Sequence, residues 1–209
     1  MPMAEVNEAH PSVRNEEFIL YVEGAGDRSI LREWAYRLLP RFAKRLFEST
    51  VILGGRQPAR ALAHFHEEAA KRPQLRGLCL LDRDGTLEPA PKPEFGMEYF
   101  MWSRRHIESY VLVPDVIRRV MDAHVDAAKL AGLLHEILPV PEDEDAYRTL
   151  DAKRLLGRKG PLAQLLGRPV PLARVARATR EHELHQDVHD LFALLRQRLG
   201  VIDPVRYER

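Results

Sequence analysis

The stretch RGLCLLDRDGT, residues 76–86, decides the fold class, because an apolar run ends there in two aspartates. The run Leu78–Leu81 is short and continuously apolar, as in strands that are buried on both faces of a sheet. Asp82 and Asp84 follow it two residues apart, where such a strand ends. The single cysteine, Cys79, lies inside the run, so we expect it to be a packed strand residue.

Working outward, the sequence predicts three more strands with helices between them. The strands are FILYVEG from Phe18, STVILGG from Ser49 and MEYFMWS from Met97. Helical spacing of apolar residues predicts one helix from Asp27 to about Arg45, and a second begins at Pro58, a favoured first-turn residue. This alternation predicts an α/β fold, a parallel sheet flanked by helices. After Pro114 the chain reads as mostly helical, so we predict a core over residues 16–113 and a helical subdomain over residues 114–209.

Composition narrows the class of protein. The 209 residues carry 32 basic and 31 acidic side chains, but residues 152–180 contain eight basic side chains and no acidic one, a pattern that suits phosphate binding. No apolar run approaches the roughly 18 residues of a membrane span, and MPMAEVNEAHPSVRNEEF lacks the apolar core of a signal peptide. With one cysteine, we expect a soluble protein in the reducing cytoplasm.

The acidic residues at the strand ends predict a metal site. Glu23 ends the first strand and Asp82 the third, and ligands of parallel α/β sheets bind outside the carboxyl ends of strands. Both carboxylates should therefore point into that crevice if the two strands are neighbours. Asp27 and Asp84 join them, and four converging carboxylates would repel one another in a crevice of low dielectric. A divalent cation resolves that repulsion, and all-oxygen ligands suit magnesium, manganese or calcium better than zinc.

Simpler explanations exist for each feature taken alone. An isolated Asp-x-Asp is usually a turn with a capping carboxylate, and Glu23 alone would merely end a strand. His182, His185 and His189 are predicted on one face of a helix, where they would form either a zinc site or, more simply, a polar surface.

The combination of motifs resembles a known family. LYVEGAGD, followed roughly 55 residues later by LLDRDG, resembles the sequence pattern of the TOPRIM domain, the catalytic core of topoisomerases, primases and several nucleases. WSRRHIESYVL (residues 102–112) and LLGRKGPLAQLL (residues 155–166) are similar to motifs of the overcoming-lysogenization-defect (OLD) nucleases, a TOPRIM-containing family. The matches span residues 18–166, although identity is confined to the motifs.

The resemblance implies a Mg²⁺- or Mn²⁺-dependent DNA endonuclease that uses two metal ions. It implies that Lys159 stabilises the transition state, that Glu23 is both a catalytic residue and a metal ligand, and that Arg105 clamps a phosphate; a surface ion pair is the alternative for Arg105. The metal ligands implied are Glu23, Asp27, Asp82, Asp84 and Glu108.

The sequence also departs from that family. ILGGRQPAR lacks the lysine and hydroxyl of a phosphate-binding loop, so an ABC-type ATPase would have to come from a domain or subunit absent from this chain. No tyrosine has the setting of a topoisomerase nucleophile. A homodimer would provide the two active sites that cutting both strands requires, although no residue pattern indicates one.

A non-catalytic DNA-binding or recombination-mediator module and a haloacid-dehalogenase-like phosphatase stay open as alternatives. In that phosphatase the paired acids follow the first strand, not the third.

Overall fold

The computed structural model describes residues 17–85, 89–121 and 125–201. Within them, four strands form one parallel sheet in the order β2-β1-β3-β4. The strands are β1 (Phe18–Val22), β2 (Thr50–Ile52), β3 (Arg76–Leu81) and β4 (Met97–Met101). Helices flank this sheet, so the predicted α/β fold and its four strands are confirmed.

The sheet reverses its direction of growth between β1 and β3. The chain passes from β1 to β2 on one side and then crosses over to place β3 on the other side of β1. Alternate residues of the central strands therefore enter two hydrophobic clusters, Leu20 and Leu78 in one, Tyr21 and Cys79 in the other. The carboxyl ends of β1 and β3 flank a topological switch point, where parallel α/β sheets open a crevice.

Helices α1 (Ala25–Leu38) and α2 (Ala43–Glu48) connect β1 to β2, and α3 (Pro58–Ala69) connects β2 to β3. The third helix begins at Pro58 as predicted. The single helix predicted from Asp27 to Arg45 is wrong, because the chain leaves helical geometry at Leu39 before α2 begins. Pro40 explains the break, since a proline disfavours helical backbone in the preceding residue and donates no hydrogen bond.

The region after β4 is helical, as predicted. It contains a 3-10 helix (Ile107–Val111), α4 (Pro114–Met121), α5 (Ala127–Ile137), α6 (Glu144–Thr149), α7 (Ala152–Leu156), α8 (Pro161–Leu166), α9 (Leu172–Ala178), a second 3-10 helix (Glu181–Glu183) and α10 (Gln186–Arg198). Among the residues described, no helix has the length and apolar character needed to cross a membrane.

The histidine-rich stretch does not form one helix face, so that prediction is wrong. His182 lies in the second 3-10 helix, whereas His185 caps the N-terminus of α10 and His189 lies inside that helix. Extended backbone at Leu184 and His185 separates the two elements. The three imidazoles therefore follow no common helical repeat.

The later helices pack on the sheet region. Helix α9 lies against α1, and Arg177 of α9 forms a bidentate ion pair with the buried Glu33 of α1 at 2.7 and 3.1 Å. Trp34 of α1, Val175 of α9 and Phe192 of α10 belong to one hydrophobic cluster that also contains β1 and β3 residues. A boundary at residue 113 stays a prediction, and the residues on its two sides share this core.

Candidate functional site

Two carboxylates meet where the central strands end. Glu23 follows β1 and Asp82 follows β3, and Glu23 Oε1 accepts a hydrogen bond from the Asp82 backbone nitrogen at 2.9 Å. Glu23 is 7% exposed and Asp82 is 2% exposed. Because β1 and β3 are neighbours, the sheet itself brings these two side chains into the crevice at the switch point.

Helix α1 brings a third acid to the same edge. Asp27 lies in the first turn of α1 and is 8% exposed. Its Oδ2 accepts a hydrogen bond from the Gly24 backbone nitrogen at 3.0 Å, which helps to fix the start of the helix. The other carboxylate oxygen, Oδ1, is not needed for that bond. Asp27 therefore combines the capping role of a first-turn acid with a position beside Asp82 and Glu23.

The 3-10 helix after β4 adds the fourth acid. The Ile107 backbone nitrogen donates to Asp82 Oδ1 at 3.0 Å, and Glu108 follows with 8% exposure. A Cβ atom added to Gly26 would lie 3.9 Å from Glu108 Oε1, so this carboxylate faces the first turn of α1. Among the described residues, the buried Glu108 Oε2 has no hydrogen-bond partner. This orphaned oxygen marks a position that a cationic or hydrogen-bonding ligand would satisfy.

Asp84 lies at the exposed side of the cluster. Its backbone has a left-handed φ of 55° and its nitrogen donates to the Arg105 carbonyl at 3.0 Å. Its side chain is 44% exposed, with Oδ1 3.5 Å from Nε2 of the buried His106. Burial lowers the pKa of His106, so we regard this imidazole as neutral at pH 7.

A lysine from the helical region enters the cluster. Lys153 in the first turn of α7 places Nζ 2.6 Å from Asp82 Oδ2. Burial disfavours the ammonium, but the hydrogen bond and charge of Asp82 outweigh it, so the pKa of Lys153 lies above its usual range. Both oxygens of Asp82 are therefore engaged, one by the Ile107 backbone and one by Lys153.

Burial raises the pKa of three carboxylates of the cluster towards neutral pH. Burial raises the pKa of Glu23 from 4.5 to about 7 and that of Asp27 from 3.8 to about 6. Burial also raises the pKa of Glu108 from 4.5 to about 7, against the opposing charge of Lys153. The charge of Asp82 adds to all three shifts. This mutual repulsion is what a bound cation would relieve.

Two predicted basic residues lie further out. Arg105 Nη1 is 3.8 Å from Oδ2 of Asp151, the N-cap residue of α7, so it forms the surface ion pair that was the alternative to a phosphate clamp. Lys159 is exposed in the turn between α7 and α8, and its backbone carbonyl accepts a hydrogen bond from Gln164 at 2.8 Å. Among the described side chains, Lys153 and not Lys159 pairs with Asp82.

Sequence reasoning missed two cations of this site. Lys153 belongs to the acid-free basic run, where no local signal separates it from its neighbours. Arg56 follows β2, and its Nη1 donates to the Asp82 backbone carbonyl. A signal for Arg56 did exist, since it lies just beyond the carboxyl end of a predicted strand, the edge where ligands bind.

A polar network anchors the loop that carries Glu108. Asp187 of α10 accepts hydrogen bonds from the backbone nitrogen of Ser103 at 3.0 Å, from its hydroxyl and from the Tyr110 hydroxyl. The same hydroxyl of Tyr110 accepts from the Arg104 backbone nitrogen at 2.9 Å. Residues 103–110 are therefore held from both ends, which fixes the 3-10 helix against the crevice.

The donor set can be tested against the implied metal. Carboxylate oxygens suit Mg²⁺ or Mn²⁺, and the orphaned Oε2 of Glu108 together with the raised pKa values indicates a site short of positive charge. No group of three or more His, Cys, Asp or Glu side chains is arranged to hold an ion within residues 17–85, 89–121 and 125–201. The donor set therefore fits the cation in ligand type and in the orphaned oxygen of Glu108. The described side chains are not gathered around one ion position, and Lys153 supplies the positive charge there.

Comparison with known proteins gives one structural likeness. No protein-family model matches the chain, and no curated protein matches its sequence. The chain is similar to the C-terminal region of the Xanthomonas campestris pv. campestris OLD protein, with 13% identity, a TM-score of 0.48, and coverage of 90% of this chain and 98% of that one. At this identity and TM-score, the likeness assigns neither a family nor an activity to the chain.

Proposed function

We propose that this chain is a metal-dependent endonuclease that hydrolyses phosphodiester bonds of DNA, with a TOPRIM-type catalytic core like that of the OLD nucleases. One observation carries the proposal. Buried carboxylates from three separate segments, Glu23, Asp82 and Glu108, converge with Asp27 at the switch point of a parallel sheet. Such a costly concentration of like charge is typical of a functional site.

Under this proposal the site binds Mg²⁺ or Mn²⁺, with two ions as the full complement. The residues that would hold them are Glu23, Asp27, Asp82, Asp84 and Glu108. Bound there, the metal would lower the pKa of an attacking water and stabilise the leaving oxygen. The chain's own part is to hold these carboxylates in place: the backbone nitrogen of Asp82 orients Glu23, and that of Ile107 orients Asp82.

The basic residues would orient the phosphodiester and offset its negative charge. Lys153 and Arg56 lie nearest the carboxylates, and the resemblance gives Lys159 and Arg105 the roles of transition-state stabiliser and phosphate clamp. A preorganised positive charge at the reacting phosphate is the largest contribution a protein usually makes to such a reaction. For Lys153 to act on the phosphodiester, its ammonium must be free to leave Asp82.

The basic segment, residues 152–180, would bind the DNA backbone. All of its lysines and arginines are exposed, and the segment begins at the site because Lys153 reaches Asp82. Contacts with phosphates give affinity that falls with salt and little sequence preference. We therefore expect cleavage with weak sequence selectivity and a steep salt dependence.

The test uses supercoiled plasmid incubated with the purified chain and Mg²⁺, Mn²⁺ or EDTA. Glu108→Gln and Asp82→Asn keep the side-chain size and remove one carboxylate charge each, so we expect either change to lower the cleavage rate at least about 100-fold. Glu67→Gln, at an exposed position of α3, is the matched control and should cleave like the unmodified chain. Gel analysis of nicked and linear products gives the rates.

Two outcomes would contradict the proposal. Cleavage that persists in EDTA would exclude a metal-dependent mechanism. Equal cleavage rates in Asp82→Asn and Glu67→Gln would show that the cleavage does not come from this site, as when a contaminating nuclease causes it. Circular dichroism of each variant checks that a lost rate does not reflect a lost fold.

A second candidate is a non-catalytic TOPRIM module that binds DNA. The observation that favours it is the ion pair of Lys153 with Asp82, which already neutralises the most buried acid of the cluster. DNA binding that survives EDTA, without cleavage under any metal condition, would support this alternative. A homodimer belongs to the nuclease proposal and is testable by sedimentation of the chain with and without DNA. An ABC-type ATPase partner also belongs to that proposal.

A further inference from the structure

The ion pair between Lys153 and the buried Asp82 lies within the carboxylate cluster. Asp82 is 2% exposed, and its Oδ1 is tied to the backbone nitrogen of Ile107. Its Oδ2 is 2.6 Å from Lys153 Nζ. A divalent cation binds carboxylate oxygen at about 2.1 Å, so an ion on Oδ2 would stand within a few ångströms of the ammonium. Like charges at that separation repel strongly in a buried site.

The neighbouring acids show what the lysine leaves unsatisfied. Glu108 Oε2 is buried and has no hydrogen-bond partner among the described residues. Its charge acts on Lys153, and the charges of Asp82 and Asp27 raise its own pKa, so it faces the same crevice. Lys153 therefore pairs with one carboxylate of a cluster that contains four buried ones, Glu23, Asp27, Asp82 and Glu108.

Lys153 has the means to leave. It lies in the first turn of the short helix α7, and its side chain is 44% exposed although its ammonium contacts the buried Asp82. Rotation about its side-chain bonds would carry the ammonium to water without moving the backbone. The Asp82 carboxylate lacks that freedom, because it is buried and its Oδ1 accepts a hydrogen bond from the Ile107 backbone nitrogen.

We propose that Lys153 is a tethered competitor of the divalent cation: its ammonium holds the metal-free crevice together and must withdraw from Asp82 before the cation binds. The inference rests on the proposed function, since it concerns the same site. Its consequence is that the apparent cation affinity equals the affinity of the withdrawn state multiplied by the fraction of molecules in which Lys153 has withdrawn. Without the lysine, the crevice would bind the cation more tightly but would be less stable when empty.

The experiment measures binding of Mn²⁺ and Mg²⁺ to the full chain by titration calorimetry, without DNA. It compares the unmodified protein with Lys153→Met, which keeps much of the apolar stem and removes the ammonium. Lys129→Met is the matched control, because it removes the same charge from an exposed position of α5, outside the carboxylate cluster and the basic segment. If the withdrawn state is about one tenth populated, the Mn²⁺ dissociation constant of Lys153→Met is about tenfold lower.

Thermal unfolding gives the second measurement. In EDTA, Lys153→Met should unfold at a lower temperature than the unmodified chain, because Asp82 is left buried without its partner. Saturating Mn²⁺ should raise its melting temperature more than that of the unmodified chain. Lys129→Met should resemble the unmodified chain in both conditions.

The outcomes separate this inference from the proposed function. Tighter cation binding by Lys153→Met than by the unmodified chain supports the inference. If Lys153→Met binds the cation and the unmodified chain binds none, the nuclease proposal fails while the competitor role of Lys153 stands. Equal or weaker binding by Lys153→Met overturns the inference and leaves the nuclease proposal intact if the unmodified chain binds Mn²⁺. Absence of binding in both proteins overturns both.

Discussion

At the residue scale, the site concentrates carboxylates that the fold does not neutralise. Glu23, Asp27 and Glu108 are each less than a tenth exposed, and burial raises the pKa of all three to between about 6 and about 7. Ionising them costs free energy that the unfolded chain does not pay. A stability cost held at one crevice is expected when the residues serve binding or catalysis.

The raised pKa values predict that the metal-free protein loses stability as pH rises. The folded state keeps protons that the unfolded state releases near pH 4 to 4.5, so the free energy of unfolding falls as pH rises through the folded values. Acids with lowered pKa values, such as Glu33 and Asp187, act below pH 4.5, and the raised pKa of Lys153 acts above pH 10. The lowered pKa of His106 acts in the opposite sense below about pH 6.5, but it is one group against three. Between pH 5 and 8 in EDTA, we expect a fall of at least about 2 kcal/mol, measured by urea unfolding.

Glu108→Gln isolates one contributor to that fall. The amide carries no charge, so we expect the variant to match the unmodified chain at pH 5 and to be about 1 kcal/mol more stable at pH 8. Glu67→Gln, at an exposed position of α3, should leave the pH profile unchanged. A profile for Glu108→Gln as steep as that of the unmodified chain would show that this carboxyl does not hold its proton in the folded state.

At the element scale, the turn between α7 and α8 is closed by a tight backbone contact. A Cβ atom on Gly160 would lie 2.3 Å from the Leu155 carbonyl oxygen and 2.5 Å from that of Arg154. Both clashes are with backbone, which cannot swing aside as a side chain can. Gly160 therefore has a packing role, and it fixes how the segment that follows Lys153 turns back.

Gly160→Ala should consequently destabilise the protein by about 2 kcal/mol or more, because α7 or α8 must shift to admit the methyl group. Gly132→Ala is the opposite case: Gly132 lies inside α5 with nothing within 4 Å of its added Cβ. Alanine there should stabilise by up to about 1 kcal/mol. Denaturant unfolding of both variants checks the pair, and equal effects would argue against the tight turn.

At the scale of the whole molecule, the sheet region depends on the later helices for its cover. The hydrophobic cluster on one face of the sheet includes Trp34 and Leu31 of α1 together with Val175 of α9 and Leu195 of α10. Arg177 of α9 neutralises the buried Glu33 of α1. Removing the later helices would expose this apolar face to water. It would also take Arg177 away from Glu33.

We therefore expect a fragment of residues 16–113 not to fold alone. The apolar face would lack its cover, so the fragment should aggregate or show no cooperative thermal transition, whereas the full chain should show one. Circular dichroism and size-exclusion chromatography of both proteins test this. A monomeric fragment with a cooperative transition would establish residues 16–113 as an autonomous domain.

The sequence by itself determined the strands, the parallel α/β class and the acids at the strand ends. These features depend on local signals: continuous apolar runs, glycines after strands, and a proline at the start of α3. The pattern also placed Glu23 and Asp82 at one edge of the sheet, because parallel strands bring their carboxyl ends there, but the structure decided that their strands are neighbours. The end of α1 was missed although Pro40 provided a local signal.

Only the tertiary structure decided which basic residue enters the crevice. Lys153 and Lys159 lie in the same acid-free segment, and nothing local distinguishes them. The position of α7 depends on its packing and on the pairing of its N-cap Asp151 with Arg105. Lys153 therefore reaches Asp82, 71 residues earlier in the chain, through contacts between distant segments. Such contacts depend on how whole elements pack, and a local sequence pattern does not encode that packing.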